Sequence, residues 1–256
     1  MKKLLALLMA IVMVVSLTSC GGGSKLLKKN SDELIIGYTI YEPMNYLDEN
    51  GKLTGFDTEF AEAVCKKLGK NPKFVEINWD TKFPTLDAGQ IDCIWNGMTI
   101  SDEVKKNCAV SKPYVKNAQV VVMAKDKMDE YPDAKSMKDL KFIAEAGSAG
   151  EDAIKDNGLD GNYTAAATQS DALMAVAGGQ ADACVIDITM AKASTAEGTS
   201  YEKLGFSVEL TTEEYGIGVR TNDTELLDDI NKAIDELIAD GTMDKLAEKY
   251  GLNLAF

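Results

Sequence analysis

One stretch, residues 92–114, limits what this chain can fold into more than any other; it reads DCIWNGMTISDEVKKNCAVSKPY. A short apolar run after Asp92 predicts a buried strand, Asn96-Gly97 is expected to break it, and Ser101-Asp102-Glu103 has the composition of a helix start. The strand must then reach a helix N-terminus through Gly97-Met98-Thr99, which gathers backbone N–H groups at one point. In an open parallel sheet such a point lies beyond the carboxyl ends of the strands, where ligands bind.

The rest of the chain repeats this alternation. Residues 34–38 (LIIGY) read as a buried strand that delivers the loop Tyr41-Glu42-Pro43-Met44 to the cleft side of a sheet. Thr54-Gly55-Phe56-Asp57 introduces a helix with Phe60, Val64 and Leu68 on one face and Gly69 as its stop. A second strand over 74–77 leads through Asn78-Trp79-Asp80 to a short helix ending at Gly89. Such alternation predicts α/β layers with mainly parallel sheets. Ala88-Gly89-Gln90-Ile91-Asp92 is echoed 90 residues later by Gly178-Gly179-Gln180-Ala181-Asp182, each before an apolar strand, so two lobes on a common plan are expected. On that register Gly97 corresponds to Asp187, and both lobes present strand ends to a shared crevice. The expected division is 31–116 plus 212–256 for the first lobe and 117–211 for the second, with crossings near the valine run 120–122 and near 209–220.

The N-terminus carries an address. Lys2-Lys3 precede an apolar run, 4–17, that is too short and wrongly flanked to span a membrane, so 1–19 is expected to be a signal peptide. Leu17-Thr18-Ser19-Cys20-Gly21 looks like a bacterial lipobox, which makes Cys20 the expected lipidation site and 20–30, rich in glycine and lysine, a flexible tether. Removing two lysines from 27 basic residues leaves 25 against 41 acidic ones, a balance of −16 that argues against nucleic acid and against electrostatic attachment to anionic lipid. Cys65, Cys93, Cys108 and Cys184 lack CxxC spacing and are expected as buried free thiols. Histidine is absent, which removes the usual Ser-His and Cys-His nucleophiles and most zinc sites; no metal or cofactor is expected.

Residues 92–114 resemble the signature DAI-x-x-G-M-S-I-T-x-x-R…FS-x-PY of the bacterial extracellular solute-binding proteins of family 3, the polar amino-acid receptors of ABC importers. The likeness extends in order to the terminal ADGTMDKLAEKYG. It implies a two-lobed α/β fold of the periplasmic-binding-protein type II class with two hinge-crossing segments. It also implies a monomer without cofactor, a small-molecule ligand, most simply an amino acid, and an ABC permease as partner.

What the resemblance implies for the site can be read residue by residue. Tyr41 and Trp79 stand where aromatic walls pack on the ligand side chain, although both could equally be packing over the core. Gly97 matches a carbonyl for the ligand ammonium, Thr99 a hydroxyl and N–H for its carboxylate, and Asn96 either contacts a polar side chain or ends the strand. Asp187 matches the carboxylate that pairs with the α-ammonium, since an acid ending an apolar strand is costly unless paired. Gly147, Ser148 and Ala149, within AGSAG, read as a strand-to-helix turn whose N–H groups grip an anion; the flanking Glu145 and Glu151 are expected to be solvated.

One position departs. Where the family has an arginine for the ligand carboxylate, this chain has Val104. Lys82, Lys105 or the helix start after Ser101 could replace it, or the ligand lacks an α-carboxylate; Arg220, the single arginine, reads as a surface base. Glu42, Asp187 and Glu214 tilt the expected ligand toward a neutral or cationic one. The expectation is therefore a lipid-anchored, extracytoplasmic binding protein of an ABC importer. The alternatives are a cleft enzyme resembling cyclohexadienyl dehydratases, with Glu42 or Glu145 as acid/base, and an extracytoplasmic sensor.

Overall fold

The computed structural model describes residues 32–256, so the signal peptide, Cys20 and the tether over 20–30 lie outside the described residues. The chain begins with β1 (Glu33–Tyr38), a small hairpin of β2 (Tyr46–Leu47) and β3 (Leu53–Thr54), then α1 (Phe56–Leu68) and β4 (Asn71–Glu76). It continues through α2 (Lys82–Asp87), β5 (Cys93–Thr99), α3 (Asp102–Asn107), β6 (Ala109–Val110) and β7 (Val115–Asn117). Then follow β8 (Gln119–Ala124), β9 (Phe142–Glu145), α4 (Ala149–Asp156), β10 (Tyr163–Ala166), α5 (Gln169–Ala177), β11 (Ala183–Asp187), α6 (Ile188–Ser194) and β12 (Leu204–Glu209). The chain ends with β13 (Glu213–Val219), α7 (Thr224–Ala239) and α8 (Thr242–Tyr250).

These strands form two principal sheets. The first runs β4-β1-β5-β13-β6, with β7 also paired to β13; the second runs β10-β9-β11-β8-β12. In each, neighbours built by helical crossovers are parallel, as β1 is with β4 and β5, and as β9 is with β10 and β11. The strands that follow the crossings are antiparallel: β13 on β5, β8 on β11. Among the described residues, the chain passes between the two sheets at the short segments between β7 and β8 and between β12 and β13, which is the two-lobed α/β architecture expected from the alternation.

Helices form where the apolar spacing demands cover. In α1, Phe60 and Val64 are buried and Leu68 packs against the same core, while Gly69 ends the helix in the left-handed conformation. The interior near β5 is aromatic: Phe60 stands edge-on to Trp95 at 4.9 Å, and Phe56 stacks with Tyr114 at 6.1 Å.

The repeated five-residue motif has a physical counterpart. Asp92 donates its N–H to the Ile35 carbonyl at 2.7 Å and accepts the Ile35 N–H on Oδ2 at 2.9 Å. Asp182 does the same with Lys141, at 3.0 and 2.9 Å. Each aspartate thus pins the start of a central strand to its parallel neighbour.

One local expectation fails. Asn96-Gly97 does not end the strand, because β5 continues to Thr99. Gly97 adopts φ +56°, where a Cβ would lie 2.7 Å from the Tyr41 ring, and the β5–β13 register shifts between Gly216 and Gly218. A bulge absorbs the irregularity that residue types alone suggest is a break. Cys65, Cys93, Cys108 and Cys184 are buried and free.

Candidate ligand cleft between the two sheets

The carboxyl ends of β5 and β11 face one cleft of about 480 Å³, mouth included, lined from both lobes by Trp79, Lys82, Asn96, Gly97, Thr99, Val104, Glu145, Gly147, Ser148, Ala149 and Asp187 among others. Eight of the nine residues expected to bind ligand are therefore brought together here. Tyr41 is not among them. Its ring packs on Gly97, and its hydroxyl bonds to Thr189 of the second lobe and to the Tyr215 hydroxyl at 2.5 Å, so it ties the lobes together behind the cleft.

Several lining side chains are already committed to the protein. Asn96 accepts from the Thr39 N–H and hydroxyl at 3.1 and 2.7 Å and donates to the Thr39 carbonyl and Asn45 at 2.9 and 2.8 Å. It is a pin between β5 and the loop after β1. The Gly97 N–H donates to Asp57 at 2.6 Å, and Thr99 donates its hydroxyl to Glu213 at 2.6 Å. Asp57 is fully buried beneath the cleft, held by Gly97 and by the Tyr114 hydroxyl at 3.0 Å, and burial pushes its carboxyl up to about 7.

The AGSAG turn differs from its expected role. The Gly147 N–H donates to the Glu151 carboxylate at 2.6 Å, the Ser148 N–H to the Glu145 carbonyl at 3.3 Å, and the Ser148 hydroxyl accepts from the Glu151 N–H as the helix cap. Two of the three N–H groups are thus spent within the turn. Glu151, expected to be solvated, satisfies that turn and pairs with Lys155 at 2.7 Å. Glu145 is not solvated either: it is 3% exposed, lines the cleft, and its Oε1 has no hydrogen-bond partner. Burial, then the nearby Asp187, pushes its carboxyl up to about 8, against the pull of Lys82.

Asp187 lies at the end of β11, buried and surrounded by side-chain amides. Oδ1 accepts from Asn117 and, at 2.9 Å, from Gln119; Oδ2 accepts from Gln169 at 2.5 Å, while Gln169 takes the Asp187 N–H at 3.0 Å. Asn117 and Gln119 also donate to Glu213, at 2.6 and 2.7 Å, so two carboxylates share two amides. Burial, with Glu213 adding to it, holds the Asp187 carboxyl above the ordinary range. No cation within 4.0 Å neutralises it among the described residues.

The place of the absent arginine is apolar. Val104 is 5% exposed and packs with Trp79, Leu86 and Met98. Arg220, read as a surface base, is instead a half-buried pin: it donates to the Ile91 carbonyl at 2.7 Å and to Asp92 and Asp223 at 3.2 and 3.1 Å, away from the cleft. Lys105 is exposed and outside the lining. Lys82 alone supplies positive charge there, lying over the Trp79 and Phe83 rings at 4.9 and 4.7 Å and donating across the lobes to the Gly147 carbonyl at 2.7 Å. Burial lowers its proton affinity, offset in part by Glu103, Glu145, Asp152 and Asp80. Glu42 and Glu214 point to solvent; the acid that joins the network is Glu213.

Asn117, Gln119, Gln169, Glu213 and Asp57 are site residues that sequence reasoning passed over. Asn117 and Gln119 left a signal: two amides bracket Ala118 immediately before an apolar strand that begins a crossing. Isolated polar residues such as Gln169 at a helix start leave none.

Known proteins share this geometry. The model of the family described as bacterial extracellular solute-binding proteins, family 3, matches residues 34–253. The probable amino-acid-binding protein YxeM of Bacillus subtilis (strain 168) is 32% identical over 98% of this chain and 95% of its own. An ancestral arginine-binding protein bound to arginine superposes with a TM-score of 0.80 at 34% identity, covering 86% of this chain and 98% of its own. The ancestral amino acid-binding protein AncCDT-1, a precursor of cyclohexadienyl dehydratase, gives 0.79 at 32% identity, covering 86% and 95%. The family model spans nearly the whole described length, the relatives and solved structures agree with it, and the chain belongs to the bacterial extracellular solute-binding proteins, family 3.

Proposed function

We propose that this chain is the lipid-anchored substrate-binding protein of an ABC importer and captures an amino acid or similar small amine between two closing lobes. One observation carries the reading: Asp187, buried at the end of β11, is oriented by three amides yet lacks a cation. Desolvating a carboxylate without a counter-charge is costly, and a ligand ammonium supplies the missing partner. Relatives named as amino-acid-binding proteins support the substrate class.

The rest of the reading concerns place and motion. Residues 1–19 direct export, Cys20 carries the lipid, and 20–30 spaces the binding unit from the membrane. The lobes divide as 31–116 plus 212–256 and 117–211, the crossings act as the hinge, and ligand contacts lower the free energy of the closed arrangement. The closed monomer is what the permease recognises.

Isothermal titration of residues 24–256 against the amino acids tests this. A binding amino acid at 100 times its Kd adds about 2.7 kcal/mol to stability, and Asp187→Ala should weaken it at least about 100-fold, the scale for a desolvated charge pair. Binding undiminished by that substitution overturns the reading.

One observation favours a second reading. A buried Glu145 that holds its proton near neutral pH has the character of a general acid, and AncCDT-1 is described as a dehydratase precursor. Turnover of a cyclohexadienyl acid by the purified protein would establish it; the four acidic lining residues against one Lys82 speak for binding of a cation instead.

A further inference from the structure

The cleft has a second unanswered charge. Glu145 ends β9, faces the same space as Asp187, and is 3% exposed with Oε1 unpartnered. The charged groups near it are Asp187 on β11, Asp171 on α5 and Lys82 on α2. Lys82 is the only one able to neutralise it, yet its ammonium is directed at the carbonyls of Gly147 and Trp79, at 2.7 and 3.3 Å, and makes no ion pair within 4.0 Å among the described residues. The acidic lining residues, Glu103, Glu145, Asp152 and Asp187, outnumber this one base.

An anion finds few partners in the same space. Gly147 and Ser148 have spent their N–H groups inside the turn, Val104 is aliphatic, and Arg220 is tied elsewhere. Two buried carboxyl groups, neither with a cation within 4.0 Å among the described residues and one with an unpartnered oxygen, end adjacent strands of one sheet, and each can receive a positive centre.

We infer that the ligand carries two cationic nitrogens, one received by Asp187 and the other by Glu145, with Glu145 as the specificity-determining residue. This rests on the cleft being the ligand site. A basic amino acid and a diamine both present that chemistry.

Titration calorimetry on residues 24–256 with lysine, ornithine, arginine, putrescine and cadaverine, against glutamine and glutamate, separates the cases. The dications should bind at least about tenfold more tightly than glutamine. Basic amino acids binding where diamines do not identifies the amino acid as the source, and the reverse identifies the diamine. Affinity for the dications should rise between pH 6 and pH 8.5, because the proton on Glu145 must leave first. Glutamine shares the part of that rise that comes from Asp187, so Glu145→Gln should remove the part specific to the dications and cost them about tenfold while sparing glutamine. The wild-type ranking needs no variant, so a misfolded Glu145→Gln leaves the inference testable. Glutamine preferred over every dication, with binding still dependent on Asp187, overturns this inference and leaves the cleft reading standing; no binding that depends on Asp187 overturns both.

Discussion

The two lobes start their central strands in the same way and finish them differently. Asp92 and Asp182 make matching pairs of backbone bonds to the neighbouring strand. Toward the far end of β5, the Asn96 side chain and the Gly97 N–H are met within the first lobe, and the terminal Thr99 donates to Glu213. The second lobe brings Glu145, with an unpartnered oxygen, and Asp187, without a cation, to the same cleft. The first lobe spends its cleft-side groups on itself and leaves unpartnered atoms, Asp57 Oδ1 and Trp95 Nε1, only beneath the cleft; the second holds its unpaired acids at the cleft itself. Shared topology fixes where strand ends go; the identity of the last residue decides whether that end stabilises the fold or waits for a ligand.

That contrast can be broken at its common root first. Arg220 ties Asp92 and the Ile91 carbonyl at the start of β5, and Arg220→Met leaves buried acceptors unpaired. A loss of about 3 kcal/mol in denaturant unfolding is expected, with ligand affinity of the folded fraction unchanged. A change in affinity larger than the change in stability would place Arg220 in the binding function.

The next prediction concerns sign. Glu145 is pushed up to about 8 in the folded protein from an ordinary 4.5, so between those limits the native state holds more protons than the unfolded one. Stability from this group is full below about pH 4.5 and is lost as pH rises toward 8. Glu145→Gln should therefore raise the ligand-free melting temperature at pH 8, by an amount equivalent to about 1–2 kcal/mol, and flatten the decline from pH 5 to 8. Asp57→Asn, at the other buried carboxyl, raised to about 7, should show the same sign without a direct effect on ligand charge. Stabilisation by both, with dication binding weakened only in the first, is the outcome the comparison requires.

The smallest effect is expected at the clasp between lobes. Lys82→Met keeps an apolar stem on Trp79 and Phe83 but loses the bond to Gly147. Affinity should fall by about three- to tenfold, the range of one hydrogen bond, and small-angle scattering of the ligand-free protein should show a larger radius of gyration. An unchanged radius would mean that Tyr41 and Thr189 hold the lobes without it.

The fold was legible in the sequence because its signals are periodic and local: the spacing of Phe60, Val64 and Leu68, the two Gly-Gln-x-Asp turns, the alternation of apolar strands and helices. The cleft was legible as a place for the same reason, since strand ends collect there. What individual residues do in it was less so. Glu145 and Glu151 look alike beside a turn, yet one is buried with an unpartnered oxygen and the other satisfies an N–H four residues back. Tyr41 follows a strand like any cleft aromatic, and only the register of the second lobe turns its hydroxyl toward Thr189. Burial and long-range pairing decide these roles, and neither is a property of neighbours in sequence. Glu213 and Glu214 make the point most simply, because the one-residue offset of a strand's two faces selects which acid meets Asn117.

Asn117 and Gln119 flank the residue at which the chain passes from one lobe to the other, and both donate to Asp187 and Glu213. The joint and the acid are one object. A bend at this joint re-aims the amides that orient Asp187. The closure proposed above would therefore move the acid end of the site and the hinge in a single step, with no separate element to carry the one to the other.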